Sequence, residues 1–192
     1  MMQGYKVPTT LELVAAADVI VLARVDGEIK ASGESRMGKI HLNPEKLLYG
    51  SELPKTALTY RGYLQTHDMI PTNSDPYELE QANPDAFWGF CNRYVFRKDM
   101  LLLLFLQKQK DGSYGNIDAS FARTLEDVPD ETAPWVRAVQ FYATVAREPK
   151  AVRKQKLLDE QARLIATGNA TDALIAKDIT RQIKGKRTQN YD

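Results

Sequence analysis

The chain has 192 residues, of which 43% are hydrophobic and 27% are charged, and its formal net charge is +1. This composition is ordinary for a soluble globular protein, and a charge so close to zero excludes a global field that draws the protein onto nucleic acid or an anionic membrane. The single cysteine, Cys91, excludes an internal disulfide framework and a cysteine-based zinc site. No apolar run approaches the ~20 residues of a membrane span, so we expect no transmembrane segment.

The first part of the chain predicts a short helix followed by strands. A capping box predicts a helix from Thr10 to about Ala17. The next segment, Val19–Val25, is dense in β-branched residues, which favours a strand. Met37–Leu42 alternates between apolar and polar residues, as a strand with one solvated face does. A third strand is predicted at Thr56–Tyr60.

A long loop is predicted from about Tyr63 to Asp85, where prolines alternate with asparagine, aspartate and serine. Loops of this length inside a compact domain are usually either functional or disordered. The aromatic run that ends at Phe90 closes the loop.

The strongest strand signal is Met100–Gln107, an apolar run too short to span a membrane. It ends near Asp111-Gly112, a pair that supplies the positive φ angles of a tight hairpin. The sequence therefore predicts a buried central strand and a return strand at Ser113–Asp118.

The last third of the chain predicts three short helices. The first begins at Pro134, the second begins at Pro149, and Thr171 is expected to cap the third. The polar tail Lys184–Asp192 is expected to be frayed. The organisation is thus a β-rich domain over residues 1–125 and a helical appendage over residues 126–192.

Five segments carry a resemblance to a known family, and they are the opening helix with Ala17–Val25, then Glu45–Gly50, Cys91, Leu101–Leu106 and Asp111–Tyr114. In that order they resemble the netrin-like domain, the OB-type barrel shared with tissue inhibitors of metalloproteinases, and especially its bacterial secreted versions. The resemblance covers about two-thirds of the chain and implies an α+β fold, in which a small closed OB-like β-barrel precedes the helices. Metalloproteinase inhibitors of this group ligate zinc through an N-terminal cysteine. Residues 1–17 contain none, so that activity is not carried over.

The resemblance also implies export, although Met1–Lys6 lacks a basic segment followed by a long apolar one. We therefore expect a periplasmic or secreted protein if a leader was removed, and a cytoplasmic protein otherwise.

The candidate binding residues are aromatic, basic or histidine side chains at and around the long loop. They are Tyr60, Arg61, Tyr63, His67, Tyr77, Phe87, Trp88 and Phe90. Tryptophan, tyrosine and arginine carry much of the binding energy at protein interfaces, so another protein is the expected partner. With Arg93 and Arg97 the same rings can instead stack the bases of single-stranded nucleic acid, which the low net charge disfavours. The structural alternative is that the aromatics only pin the loop to the barrel.

We expect no catalytic residue, no metal site and no cofactor, because phosphate loops, nucleophile elbows and metal-ligand spacings are missing. The predicted function is a non-enzymatic binding or interaction protein of the cell envelope. One alternative is an OB-fold module that binds single-stranded nucleic acid. The other alternative is a cysteine-dependent enzyme, in which His41 or His67 activates Cys91. The structural reading of Cys91 is that it is only a small buried residue.

Overall fold

The computed structural model describes residues 4–30, 37–88 and 91–189, and its fold is α+β. The strands are β1 (Tyr5–Val7), β2 (Val19–Ile29), β3 (Lys39–Tyr49), β4 (Leu58–Arg61), β5 (Tyr63–Leu64), β6 (Val95–Phe96), β7 (Leu101–Lys108), β8 (Tyr114–Asn116), β9 (Leu125–Asp127) and β10 (Arg187–Gln189). The helices are α1 (Thr10–Ala16), α2 (Pro134–Ala146), α3 (Lys150–Ala166) and α4 (Ala170–Lys184), and Pro84–Phe87 forms a 3-10 turn.

The main sheet runs β4-β3-β2-β7-β8, and β9 also pairs with β7. The predicted central strand is confirmed as β7, in which Leu102–Leu106 is buried. One edge of β7 pairs with β2, whereas the other edge is divided between β8 and β9. Gly112 has a φ of +85° at the predicted hairpin turn.

Successive residues of β7 point to opposite faces of the sheet and enter two different hydrophobic clusters. Leu103 and Phe105 pack with helical residues that include Trp135 and Val139. Side chains on the other face belong to a second cluster, whose buried residues are Val19, Val21, Ala23, Val25, Ile40, Leu42, Leu58, Phe96, Met100, Leu102, Leu104, Leu106 and Leu125. The helices therefore cover one face, and the bending sheet covers the other.

The prediction of a closed OB-like β-barrel is wrong, because no ladder joins β4 to β8 in the described chain. After β4 the chain turns away at Gly62, whose N–H donates to Gly38 O at 3.0 Å. The next residues form β5, which pairs in parallel with β6 rather than with β8. A Cβ atom at Gly62 would lie 2.7 Å from Tyr94 O, so only glycine allows this close approach. The edge strands β4 and β8 consequently lie near each other without forming a ladder in the described chain.

Two smaller predictions at the C-terminal end are also wrong. Arg187–Gln189 of the supposedly frayed tail pairs antiparallel with β1, and thereby brings the two ends of the described chain together. The cap of α4 is Asn169, not Thr171. Its Oδ1 accepts from the amides of Thr171 and Asp172 at 2.8 and 3.2 Å.

A fully buried carboxylate helps to dock α4 against α2. The Tyr142 hydroxyl donates to Asp178 Oδ2 at 2.6 Å, and Gln182 Nε2 donates to the same oxygen at 3.2 Å. Burial raises the pKa of Asp178 to about 6, although these two donors and Arg181 act in the opposite direction.

We predict that Asp178→Asn flattens the pH dependence of stability. Because the pKa is raised in the folded state, the contribution of Asp178 is complete below its ordinary pKa of 3.8 and is lost as the pH rises through about 6. The free energy of unfolding of the wild type should therefore fall by about 3 kcal/mol relative to Asp178→Asn across this interval. Urea unfolding of both proteins at pH 4 and pH 7 measures this change. If the free energies of unfolding of the two proteins differed by the same amount at both pH values, the prediction would be contradicted.

We predict that Leu103→Ala lowers the free energy of unfolding by about 2–5 kcal/mol, because it opens a cavity in a fully buried site. The matched control is Ile165→Ala on α3, where the side chain is 63% exposed and the loss should stay within about 0.5 kcal/mol. Denaturant unfolding measures both variants. Equal losses would show that β7 is not central to the core.

Candidate functional site

The long loop, residues 65–88 in the structure, is held in place by a buried glutamate of β9. Glu126 Oε1 accepts from the Asn83 amide at 3.0 Å, and its Oε2 accepts from the Ser74 hydroxyl at 2.5 Å. All three residues are buried. A buried carboxylate needs such donors to offset its lost hydration, so the loop and the glutamate stabilise each other.

The adjacent residue of β9 makes a second anchor. Asp127 Oδ1 accepts from the Ser74 amide at 2.9 Å and forms an ion pair with the buried Arg93 guanidinium. Arg93 also donates to Thr72 O at 2.9 Å and to Val95 O at 3.1 Å. These contacts join the loop to β6 and β9, so the loop is packed against the rest of the fold in a defined conformation.

The anchored loop ends in two exposed aromatic residues. Trp88 is 78% exposed and Phe87 is 41% exposed. Together with Gln81, Ala82 and Pro84 they line an open, mainly apolar depression of about 510 Å³, which we call the Trp88 surface. The Phe87 ring stacks on the ring of Phe121, with 5.4 Å between the ring centroids.

The other described loop candidates do not line the Trp88 surface. Tyr77 is 67% exposed, and the His67 side chain contacts Asp68, with 3.2 Å between Nδ1 and Oδ1. Tyr63 belongs to β5, where its N–H donates to Tyr94 O at 2.8 Å. The last candidate, Phe90, lies outside the described residues.

Tyr60 and Arg61 lie in a different place, a cleft of about 560 Å³ between the open edges β4 and β8. We call it the edge cleft, and its lining is Met37, Lys39, Thr59, Tyr60, Arg61, Asn92, Arg93, Tyr94, Asn116 and Asp118. The Tyr60 ring packs edge-on against Phe96 at 6.1 Å, and burial raises the pKa of its hydroxyl to about 12. Two of the eight predicted residues thus line the Trp88 surface and two line the edge cleft, while Tyr63, His67 and Tyr77 line neither.

The residues of the proposed cysteine enzyme are not brought together. Cys91 is half-buried against the helix-side cluster, and no hydrogen bond joins it to His41 or His67 in the described chain. Its backbone is left-handed, with a φ of 60°, and its carbonyl accepts from the Phe121 amide at 2.8 Å. Within residues 4–30, 37–88 and 91–189, no three histidine, cysteine or acidic side chains cluster as metal ligands do.

Comparison of the chain with protein families, curated proteins and solved structures finds no match to any of them. No helix in the described ranges combines the length and apolarity that crossing a bilayer needs.

The residues that organise the site were missed by the sequence analysis. Glu126 and Asp127 follow Leu125 in a strand too short to show a period, and their partners lie 43 and 34 residues earlier at Asn83 and Arg93. Polar and apolar residues are mixed from Phe121 to Val128, so the sequence offers no signal that Arg123 and Glu126 are buried.

We predict that Glu126→Ala releases the long loop. The substitution removes the acceptor of the Asn83 amide and the Ser74 hydroxyl, and it leaves the buried Arg123, 3.8 Å away, without its carboxylate neighbour. We expect a loss of about 3–5 kcal/mol in the free energy of unfolding and rapid proteolytic cleavage within residues 65–88.

The control is Glu131→Ala, which removes an exposed carboxylate whose partner is Lys46 and should cost about 0–1 kcal/mol. Limited proteolysis with mass spectrometry locates the cleavage. A Glu126→Ala protein whose loop resists the protease like the wild type would contradict the anchoring role.

Proposed function

We propose that this chain is a non-enzymatic binding protein whose partner, another protein, docks on the Trp88 surface. The observation that carries the proposal is the exposure of Trp88 and Phe87 at the end of a loop that buried hydrogen bonds hold in one conformation. A tryptophan left in water costs free energy that burial against a partner would recover.

The anchoring of the loop favours binding over a loop-pinning role for the Trp88 ring. Phe121 and the polar anchors at Glu126 and Asp127 already hold the loop, so the Trp88 indole is not needed for that purpose. A binding residue presented by an ordered loop loses little conformational entropy on association. Large aromatic residues with few rotatable bonds are the usual centres of protein interfaces.

The cell envelope is our proposed setting for this interaction. This part of the proposal is supported only by the resemblance of the β-rich segments to bacterial netrin-like domains.

Trp88 can be tested directly because the other tryptophan, Trp135, is fully buried. Partners are captured by crosslinking in the cell of origin, purified, and titrated against the wild type, Trp88→Ala and Ile165→Ala. We expect Trp88→Ala to weaken binding by about 2 kcal/mol or more, as loss of a central aromatic does. Ile165→Ala removes another exposed apolar residue, on α3, whose side chain is 63% exposed, and should bind like the wild type.

Fluorescence gives an independent readout. Binding should shield Trp88 from acrylamide, whereas the emission of a Trp88→Phe protein, which reports only on Trp135, should not change. If the partners bound Trp88→Ala as tightly as the wild type, the Trp88 surface would not be the docking site.

A further inference from the structure

A second depression adjoins the Trp88 surface and indicates the charge of its partner. We call it the acidic pocket, and its volume is about 250 Å³. Its lining is Asn73, Asp75, Glu78, Gln81, Ala82, Asn83, Pro84 and Arg123. Gln81, Ala82 and Pro84 also line the Trp88 surface, so a single bound segment can contact both depressions.

The long loop carries an excess of negative charge. Residues 65–88 contain no lysine or arginine, and their acidic residues are Asp68, Asp75, Glu78, Glu80 and Asp85. The net charge of the whole chain is +1, so this negative charge is a local property of the loop. In the described chain, the only cation outside the loop that pairs with these carboxylates is Arg181, at 3.0 Å from Glu80 and 3.8 Å from Glu78.

The two carboxylates of the acidic pocket are oriented by backbone amides without being neutralised. Asp75 is exposed, its Oδ1 accepts from the Tyr77 amide at 2.8 Å, and it forms no ion pair with a described residue. Glu78 Oε1 accepts from the Gln81 amide at 3.0 Å. These bonds fix the direction of each side chain, while its charge stays available to a charged donor.

The cation in the lining does not cancel the negative charge at the mouth of the pocket. Arg123 is only 4% exposed, and its guanidinium lies 3.8 Å from the buried Glu126 carboxylate. It also donates to Gln81 O at 2.8 Å. Arg123 therefore belongs to the buried network that anchors the loop, and the charge that a partner meets is that of Asp75 and Glu78.

On the basis of the proposed function, we propose that the partner docks through a basic segment, in which a lysine or arginine lies close to a large apolar residue. The apolar side chain packs against Phe87 and Trp88, and the cation enters the acidic pocket beside Asp75 and Glu78. Burial of the aromatic rings supplies most of the affinity. Complementary charge speeds the encounter and disfavours acidic partners.

The probe is a phage-displayed library of short random peptides, which is selected on the wild-type protein and counter-selected on Trp88→Ala. We expect the retained peptides to be enriched in lysine or arginine within two positions of phenylalanine, tryptophan or leucine. Aspartate and glutamate should be depleted, because the loop repels them. Counter-selection removes peptides that bind elsewhere on the protein.

The role of charge is measured with one retained peptide, labelled with fluorescein and titrated by anisotropy. Asp75→Asn with Glu78→Gln removes both charges, while the amide oxygens can still accept from the same backbone amides. We expect about tenfold weaker binding. The matched control is Glu52→Gln with Asp159→Asn, which removes two exposed carboxylates outside both depressions and should bind like the wild type.

Salt dependence gives an independent readout on the same proteins. Binding of the peptide to the wild type should weaken as sodium chloride is raised, because salt screens exposed charges. The double amide variant should depend on salt much less. Circular dichroism and urea unfolding establish that both double variants are folded.

Three results would overturn the basic-segment proposal. They are retained peptides without basic residues, wild-type affinity in the double amide variant, and a failure to select any peptide that requires Trp88. A Trp88-dependent dimer in analytical ultracentrifugation, with no peptide binding, would assign the surface to a second copy of the chain instead. If crosslinked partners still required Trp88 after any of these peptide results, the proposed function would stand and only the basic segment would be wrong.

Discussion

The apolar strand β7 is buried on both faces, so every neighbour must supply either a hydrogen-bonded edge or a covering layer. Leu103 and Phe105 require the helices, while Leu102, Leu104 and Leu106 require the sheet to bend over them. Its backbone is completed by β2 on one edge and by β8 and β9 on the other. Because both faces are buried, the five side chains of Leu102–Leu106 leave water within one short segment, and their burial stabilises the fold.

Because β8 and β9 share one edge of β7, the carboxylates of β9 are brought towards the core and β8 is kept short. Pairing of β9 with Leu102–Leu104 brings Glu126 and Asp127 into the interior, where carboxylates need donors. The loop supplies them through Ser74 and Asn83, and Arg93 supplies the countercharge. The same sharing leaves β8 only three residues long, so the sheet ends in an open cleft instead of closing.

The proposed binding surface depends on this anchoring. The Trp88 surface offers apolar area on an ordered loop and would bind mainly by excluding water.

The sequence by itself determined the elements whose signals are local. The apolar run of β7, the Thr9–Glu12 capping box and the helical periodicity after Pro134 depend on near neighbours, and all three are present in the structure. Tertiary structure alone decided that the sheet stays open, that β10 pairs with β1, and that the loop is anchored by Glu126. These outcomes depend on strand partners and buried charges far apart in the chain, and hydrophobic periodicity carries no information about which distant groups meet. For that reason the aromatics Phe87 and Trp88 could be singled out from the sequence, whereas the buried Glu126 that anchors their loop could not.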